Sequence, residues 1–342
     1  MNFRIRNVFL VLLALVFLAV ACTPPPEPTP TERMVEPTDP PTETPVPTQA
    51  PTEVPTETPE PTPEPIIVTD DMGNQITLQE PAQRIVSLSP SMTESLFAMG
   101  AGNLIVARES NSTYPEEAKE IENLGKIWEG LPMEKIVSLE PDLVVAAQII
   151  SSDQVQKMQD VGLTVYWQSN PQDFQGLYDN LMELSRLVGS EGEADELVSS
   201  LQDRVALVEE TLADIEETPL VFYELDATDP SNPYTVGKGT FISYLIEKAG
   251  GENLGDSLEG SYVQISSEEI IAQDPDYILL GDAQYGVSPE SVAERPGWAQ
   301  LTAVQEDRVI AVDDDLVSLP GPRLVQGLEE IARKIHPEVF EN

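Results

Sequence analysis

The second half of this chain repeats a pattern from its first half, and that repeat restricts the possible folds more than any other feature. Glu122-Asn-Leu-Gly125 recurs as Glu252-Asn-Leu-Gly255. Further along, segment 134–145 aligns with 268–279, because each begins with a glutamate and has an aspartate after a proline eight positions later. An ordered series of matches at nearly constant spacing indicates two similar structural units. We therefore expect a globular part made of two lobes.

Each copy of the repeat contains a segment that predicts a buried strand. Leu143–Ala147 and Tyr277–Leu280 are apolar throughout, which is typical of parallel strands with both faces covered. Strand candidates alternate with helical stretches, and this order predicts βαβ units. The predicted fold class is α/β, with two lobes of central, mostly parallel sheets flanked by helices. Additional strands are predicted at 85–88, 104–107, 163–166, 220–223 and 309–312, and helices at 93–99, 174–188, 241–249 and 323–335.

One long helix is predicted between the lobes. Over residues 190–217 the apolar side chains recur at intervals of three and four, which is the spacing of an amphipathic helix. No glycine or proline interrupts this stretch after Gly192. A single stiff helix of nearly thirty residues would restrict opening and closing of the lobes more than a flexible strand hinge.

The first residues predict export and anchoring. Two arginines precede an apolar run at 8–21, which is shorter than the about 20 residues of a membrane span. The run ends at Cys22, the one cysteine of the chain, and the preceding Ala19-Val-Ala21 resembles the lipobox of bacterial lipoproteins. This resemblance implies a lipoprotein signal peptide at 1–21 and lipidation of Cys22. An ordinary secretory signal and an uncleaved anchor are the alternatives.

Residues 22–65 predict a disordered stalk, because proline, threonine and glutamate dominate them. Proline fixes φ and lacks an amide donor, and without recurring apolar residues no core can form. As polyproline II at ~3.1 Å per residue, the stalk would reach on the order of 100 Å. The domain boundaries that follow are an N-terminal lobe at 66–189, an interlobe helix at 190–217 and a C-terminal lobe at 218–342.

The charge of the chain excludes several partners and sites. There are 60 acidic and 18 basic residues, a formal net charge of −42. The signal and the stalk account for little of it, so the globular part carries roughly −36. Such a polyanion is repelled by phosphate backbones, so no nucleic acid is expected as a partner. One histidine and one cysteine supply too few soft ligands for a transition-metal site, and neither a metal nor a cofactor is expected.

A family resemblance rests on the segment Arg84-Ile-Val-Ser-Leu-Ser-Pro-Ser-Met-Thr-Glu94, which Leu96-Phe-Ala-Met-Gly100 follows. It resembles the start of the class III periplasmic binding proteins for vitamin B12 and ferric siderophores, which are receptors of ABC importers. The likeness extends from residue 66 to the C-terminus and includes Trp128-Glu-Gly, Pro141-Asp142 and Gly250-Gly-Glu-Asn-Leu254. It implies two lobes joined by a long helix, and a bulky ligand between them.

The resemblance also implies partners and a location. A monomeric receptor of this kind works outside the cytoplasm, held to the membrane by its lipid anchor. It delivers its ligand to a permease dimer whose ATPase supplies the energy. Cobalamin or another corrinoid is the first choice of ligand, a ferric siderophore the second and haem the third.

Two acids are candidates for contact with the permease. Glu134 and Glu268 occupy matching places in the repeat, and they resemble the glutamates, one per lobe, that dock on permease arginines in this family. One acid per lobe suits a receptor that sits across a two-fold symmetric channel. The alternative is that each acid merely stabilises the start of its helix, by about 0.3–1 kcal/mol.

Aromatic residues are the candidates for the ligand site. Trp128, Tyr234 and Tyr262 resemble residues that line the corrinoid pocket of cobalamin receptors, and Asp315 resembles a polar contact there. Each ring offers ~150–250 Å² of contact area to a flat or apolar ligand. Packing in the core is the alternative for each ring, and the role expected for Trp298.

Several polar residues have more than one interpretation. Ser91 is predicted to cap a helix, with Glu94 completing a capping box, although a helix start can also bind a ligand oxygen. Arg108 and Arg323 would face the anionic chelate of a siderophore receptor. His336, at the end of the last long helix, is expected to be a C-terminal cation rather than a metal ligand.

The sequence argues against catalysis. It contains no G-x-S-x-G motif and no Walker loop, and its single histidine is peripheral. Paired carboxylates are unavoidable among 60 acids, so a carboxylate-based hydrolase stays as a remote alternative. A purely structural surface lipoprotein is the other. The chain is predicted to be a binding protein and not an enzyme.

Overall fold

The computed structural model describes residues 64–340, which form two α/β lobes. The predictions for the signal peptide, Cys22 and nearly all of the stalk lie outside the described residues. The strands are β1 (Ile66–Thr69), β2 (Gln75–Leu78), β3 (Ile85–Ser87), β4 (Ile105–Arg108), β5 (Glu122–Asn123), β6 (Leu143–Ala147), β7 (Val165–Gln168), β8 (Leu220–Glu224), β9 (Tyr234–Val236), β10 (Glu252–Asn253), β11 (Tyr262–Gln264), β12 (Tyr277–Leu280) and β13 (Val309–Ala311).

The helices alternate with these strands through both lobes. They are α1 (Pro90–Ala98), α2 (Met133–Ser138), α3 (Ser152–Asp160), α4 (Phe174–Val188), α5 (Glu191–Leu212), α6 (Phe241–Lys248), α7 (Ser267–Gln273), α8 (Pro289–Ala293), α9 (Thr302–Gln305), α10 (Asp314–Val317), α11 (Leu324–Ile335) and α12 (Pro337–Phe340). No helix in residues 64–340 combines the length and the hydropathy needed to cross a bilayer.

Each lobe is built on a parallel sheet. In the N-terminal lobe five strands lie in the order β5-β4-β3-β6-β7, and in the C-terminal lobe four lie in the order β10-β8-β12-β13. Every pairing within these two sheets is parallel. The hairpin β1-β2 and the two-stranded sheet β9-β11 are antiparallel additions. The predicted α/β class, two lobes with parallel central sheets, is confirmed.

The repeat seen in the sequence corresponds to the middle of each sheet. β6 and β12 are wholly buried, and each follows the short helix, α2 or α7, that its repeat segment predicts. The Glu-Asn-Leu-Gly copies form the edge strands β5 and β10. β10 pairs directly with β8, whereas β4 lies between β5 and β3, so the N-terminal sheet is one strand wider at this edge.

The interlobe helix α5 covers residues 191–212, five fewer at its C-terminal end than predicted. The preceding helix α4 ends at Gly189, which adopts the left-handed conformation with φ 70°, and Ser190 is the N-cap residue of α5. Beyond Leu212 the chain is Ala-Asp-Ile-Glu-Glu-Thr-Pro219, in which no further apolar stripe recurs. Packing cannot hold that stretch helical, because a stable surface helix needs an apolar face.

The two lobes share one hydrophobic core around α5. Side chains of α4 and α5 pack in a single buried cluster with those of α6 and α11. At its centre the ring of Phe174 on α4 lies 5.7 Å from Phe241 and 5.4 Å from Tyr244, both on α6. Close-packed interiors resist sliding and bending. Lobe movement is therefore restricted by shared packing as well as by the helix.

Candidate functional site

The cleft between the lobes forms where the carboxyl ends of both parallel sheets meet. Two adjoining cavities of about 660 and 370 Å³ share Gln148, Asn170, Ser318 and Pro320 in their walls. Together they lie at the upper end of the ~300–1,000 Å³ typical of small-molecule sites. In open parallel sheets, ligands bind outside the carboxyl ends of the strands because the loops there point into one crevice.

The wall from the N-terminal lobe is mainly neutral and polar. Its side chains follow the ends of β3, β4, β6 and β7, so four neighbouring strands deliver them to one edge of the sheet. They are Ser89, Ser91, Asn111, Thr113, Gln148 and Asn170. Hydroxyl and amide groups donate and accept hydrogen bonds without net charge. This wall suits a ligand rim rich in polar, uncharged groups.

One acid belongs to the same wall. Glu109 directly follows β4 and is buried, 1% exposed. Its carboxylate accepts hydrogen bonds from the Asn111 amide at 2.7 Å and from the Ser112 hydroxyl at 2.8 Å. Within residues 64–340 no lysine or arginine pairs with it. Its carboxylate oxygens are therefore satisfied by an amide and a hydroxyl rather than by a cationic side chain.

The wall from the C-terminal lobe carries aromatic rings and carboxylates. It includes Tyr262, Gln284, Tyr285, Asp314, Asp315 and Ser318. Tyr285 is 80% exposed and Tyr262 is 58% exposed, so both rings are open to a ligand. Exposed large rings cost free energy in water and gain contact area when a flat ligand covers them. This wall suits stacking against an apolar face.

Of the predicted aromatic residues, the structure brings only Tyr262 into the cleft wall. Trp128, 53% exposed, lies in the loop after β5 with the Lys126 ammonium 5.7 Å from its ring. Tyr234 is also exposed and lies opposite Gln264 in the β9-β11 pair. Cross-strand partners share a face of the sheet, and Tyr262, two residues from Gln264 along β11, lies on that face too. Contact of Trp128 or Tyr234 with a ligand stays a prediction.

Ser91 and Asp315 both line the larger cavity, but the capping box predicted around Ser91 is wrong. The N-cap residue of α1 is Ser89, and Pro90 occupies the first turn. Ser91 is the next residue, and its hydroxyl lies 2.8 Å from that of Ser89. Proline at the first helical position has its φ already fixed and has no amide hydrogen that needs a partner. The helix therefore starts two residues earlier than the serine pattern predicts.

Glu94, the expected box partner, instead joins the lobes. Its carboxylate on α1 accepts from Nε of Arg323 at 2.7 Å and from the Arg323 amide at 2.9 Å. The guanidinium also lies 3.8 Å from the ring of Tyr114 in the N-terminal lobe. Burial raises the pKa of Glu94, while the Arg323 charge opposes that rise. The pair ties the start of α11 to the N-terminal lobe.

Both predicted anion-binding arginines are therefore engaged elsewhere. The buried Arg108 guanidinium donates to the carbonyls of Ala118 at 2.6 Å, Glu109 at 3.0 Å and Lys119 at 3.3 Å. Arg323 is held by Glu94, as described above. Neither lines the two cavities of the cleft. The Arg108 guanidinium is taken up by backbone carbonyls, whereas only Nε of the Arg323 side chain has a hydrogen-bond partner in the described residues, so contact of either arginine with an anionic chelate stays a prediction.

A second buried ion pair supports the C-terminal wall from behind. Glu224, at the end of β8, is fully buried and accepts a two-pronged hydrogen bond from Arg295. Asp282, just beyond β12, is buried beside it and accepts from the Ala227 amide at 2.9 Å, but its Oδ1 has no partner. Burial and the nearby Glu224 charge raise the pKa of Asp282 to about 6.

The docking candidates lie on matching surfaces. Glu134 is in the first turn of α2 and Glu268 is in the first turn of α7, and both side chains are exposed. In the described part of the chain neither carboxylate forms an ion pair. Each is thus free to accept a cation from a partner, and the docking role stays a prediction.

Two remaining residues take structural roles. The ring nitrogen Nε2 of buried His336 lies 3.2 Å from the Gly250 carbonyl, at the end of α11. Trp298 is fully buried, packs against Phe222 and donates from its indole to the Ser267 hydroxyl. Among residues 64–340 no group of three or more histidine, cysteine or acidic side chains is arranged to hold a metal ion.

Sequence reasoning missed several residues of the wall. Tyr285 lies in a short turn after β12, and Gln148 and Glu109 each come directly after a strand. Their position in the sequence was the available signal, because residues that follow parallel strands lie at one edge of the sheet. Gln148 immediately follows a predicted strand and was identifiable on that ground.

Comparisons with known proteins agree with this geometry. Residues 85–316 match the family described as periplasmic binding protein. The uncharacterized ABC transporter substrate-binding lipoprotein YvrC of Bacillus subtilis is 36% identical over 281 residues, covering 80% of this chain and 87% of that protein. The periplasmic vitamin B12 binding protein BtuF of Vibrio cholerae has a TM-score of 0.64 at 26% identity, over 77% of this chain and 99% of that one. The periplasmic heme-binding protein RhuT of Roseiflexus sp. RS-1 has a TM-score of 0.67 at 26% identity, over 75% and 99%.

Proposed function

Because this chain belongs to the periplasmic binding protein family and is a substrate-binding protein of an ABC importer, we propose that it captures a bulky chelate between its lobes. A corrinoid such as cobalamin is the favoured cargo, and a ferric siderophore or haem is the alternative. The observation that carries the proposal is the cleft itself. It is large, one wall is polar and mainly neutral with Glu109 as its acid, and the other presents the exposed rings of Tyr262 and Tyr285.

A corrinoid matches these two walls better than a compact ion does. Its broad face needs apolar contact, which aromatic rings supply, and its amide-bearing rim needs hydrogen-bonding partners of no net charge. A small anion would need cationic side chains, and the cleft walls contain none. The comparison with a vitamin B12 binding protein supports this choice, while the comparison with a heme-binding protein keeps the alternative open.

Release is proposed to occur at the permease. Glu134 and Glu268 would each contact a cation on one half of a two-fold symmetric partner, and that contact fixes the orientation of the receptor. Shared packing and the Glu94–Arg323 pair limit lobe opening in the free protein. Binding to the permease must therefore supply the work of widening the cleft, with energy from the partner ATPase.

A lipid anchor on Cys22 is part of the same proposal. The relative from Bacillus subtilis is a lipoprotein, and the lipobox-like residues of this chain precede its one cysteine. In a bacterial host supplied with a labelled fatty acid, the native protein should incorporate the label and a Cys22→Ser variant should not. A native protein without label would mean an ordinary secretory signal or an uncleaved anchor instead.

The decisive experiment measures which chelate stays bound. The purified protein is incubated separately with cyanocobalamin, ferrioxamine B and haem, desalted, and its visible absorption spectrum is recorded. We expect corrin bands at about one equivalent. Retention of no chelate would overturn the proposal. Recovery of intact ligand distinguishes a receptor from a hydrolase. The hydrolase alternative lacks support, because members of this family are binding proteins.

A further inference from the structure

The walls of the cleft carry negative charge and no positive charge. Glu109, Asp314 and Asp315 line the larger cavity, and neither cavity has a lysine, arginine or histidine in its walls. We propose that the cleft selects chelates by charge, accepting a neutral or cationic ligand and rejecting an anionic one of the same size. This inference rests on the proposed function and adds a rule for the class of cargo.

The three carboxylates differ in what holds them. Glu109 is buried and is satisfied by an amide and a hydroxyl of its own loop. Asp314 accepts from the hydroxyl of Ser318 and from the side-chain amide of Gln284 at 3.2 Å. Asp315 is exposed, and no hydrogen bond or ion pair to its side chain occurs within residues 64–340. None of the three has a cationic side-chain partner there. Burial raises the pKa of Asp314, so the exposed Asp315 is the acid most open to whatever enters.

Two nearby arginines do not cancel this charge. Arg323 lies three residues beyond the wall residue Pro320, and its guanidinium is committed to buried Glu94. Arg295 is committed in the same way to buried Glu224. Arg108 differs, because it has no acidic partner within residues 64–340 and donates to the Glu109 carbonyl at 3.0 Å, so it offsets part of the Glu109 charge. The negative field of the cleft therefore comes mainly from the C-terminal wall.

The size of the effect follows from Coulomb's law. Two unit charges about 6 Å apart at an effective dielectric constant of about 20 repel by enough to weaken binding by more than tenfold. A carboxylate on the ligand would also lose water without gaining a cationic partner. A ligand with no carboxylate avoids both costs. Haem, with two propionates, is therefore disfavoured relative to an amide-rimmed corrinoid.

The global charge of the protein is a competing explanation, and salt separates the two. The globular part is strongly acidic everywhere, and its long-range field is screened beyond about 8 Å at 0.15 M ionic strength. Repulsion inside the cleft acts over shorter distances and away from bulk solvent. Selection by the cleft should persist at 0.5 M salt, whereas selection by the overall charge should fade.

The test uses matched probe pairs and calorimetry on the purified protein. One pair is cyanocobalamin and its derivative with one peripheral amide hydrolysed to a carboxylate. The other is ferrioxamine B, a cation, and its N-succinyl derivative, an anion. For whichever class binds, we expect the parent to bind at least about tenfold tighter than the anion, at 0.15 M and at 0.5 M KCl.

Variants locate the effect. Asp315→Asn and Glu109→Gln should each reduce the ratio between parent and anion several-fold. Glu217→Gln removes one exposed acid beyond the end of α5 and should leave the ratio unchanged, which makes it the matched control. A ratio that falls in all three variants, or that vanishes at 0.5 M KCl, would assign the selection to overall charge and overturn the inference.

The remaining outcomes separate the inference from the function on which it rests. An anionic derivative that binds as tightly as its parent, or haem bound more tightly than either parent, overturns the charge rule while the receptor function stands. Failure of every probe to bind overturns the receptor function, and the charge rule with it. Parent binding with exclusion of both anions supports both.

Discussion

The two lobes have the same plan, yet they use corresponding positions differently. Strand register aligns Leu88, just after β3, with Glu224, which ends β8. Both are fully buried, but one is apolar and the other is held by Arg295. After the neighbouring strands, exposed Gln148, which follows β6, corresponds to buried Asp282, which follows β12. The N-terminal lobe thus presents a mainly neutral, polar wall with Glu109 as its acid, and the C-terminal lobe contributes the exposed rings together with Asp314 and Asp315.

This difference shows how two lobes with the same fold can bind an asymmetric ligand. The backbone of a parallel sheet delivers its loops to one edge whatever the side chains are. The residues at that edge are then free to differ between copies. A ligand with an apolar face and a polar rim needs two unlike walls, and the two lobes supply them.

The proposed docking acids, Glu134 and Glu268, occupy matching places in the two lobes, so reversing both should have the largest effect. In Glu134→Lys/Glu268→Lys, uptake into cells should be lost, because two attractive contacts with the permease become repulsive. Ligand affinity measured by calorimetry should be unchanged, since neither residue lines the cleft. Each single variant should retain intermediate uptake. Normal transport by the double variant would remove these residues from the docking surface.

The buried pair of the C-terminal lobe should matter next. Arg295→Met leaves Glu224 buried without its cation, and we expect a loss of about 3–5 kcal/mol in the free energy of unfolding. Glu224→Leu/Arg295→Met copies the leucine of the N-terminal lobe and should recover most of that loss, because a well-packed apolar pair avoids the desolvation penalty. Urea unfolding of the three proteins gives the values. If the double variant is as unstable as the single one, the lobes are not interchangeable at this position.

The buried acid of the C-terminal lobe should make stability depend on pH. With its pKa at about 6 in the folded protein and near 4 when unfolded, Asp282 binds more protons in the folded state between those values. The contribution of Asp282 to the free energy of unfolding is therefore present at low pH. Up to about 3 kcal/mol of it is lost as the pH rises through 6. Asp282→Asn should match the wild type at pH 4 and exceed it at pH 8. Thermal unfolding at both pH values checks this, with Glu217→Gln as control.

The rings of the C-terminal wall should contribute more to binding than the amides of the N-terminal wall. Tyr262→Ala and Tyr285→Ala should each weaken cyanocobalamin binding by about tenfold, because each removes stacking area worth about 1–2 kcal/mol. Gln148→Ala should have a smaller effect, since water replaces an exposed amide at little cost. Titration calorimetry gives all three values. Equal effects from ring and amide would mean that the walls are not specialised.

The sequence predicts the sheets well and the site less well. Leu143–Ala147 and Tyr277–Leu280 were predicted as strands and appear with those bounds, because a run buried on both faces must be apolar throughout. The two-residue edge strands β5 and β10 were not predicted as strands. Their pairing depends on a neighbouring strand rather than on their own residues, so no local pattern marks them.

Residue roles were harder to predict than elements. Glu94 has the spacing of a capping box, yet it pairs with Arg323, 229 residues away. Arg108 has the charge expected of an anion-binding residue, yet its guanidinium donates to backbone carbonyls. The partner of Glu94 comes from a distant part of the chain, whereas the carbonyls that Arg108 contacts lie only 1 to 11 residues further along. The chemistry of a side chain limits what it can bind, and its neighbours in the folded protein determine what it does bind.

By itself, then, the order of residues determined the duplicated α/β plan, the connecting helix and the family, since each depends on local periodicity or on short motifs read along the chain. Tertiary structure alone decided which side chains face the cleft, which charges are cancelled and which stay open to a ligand. The physical reason is that burial and pairing depend on contacts between segments far apart in sequence. Such contacts form only when both sheets turn their carboxyl ends toward the same space.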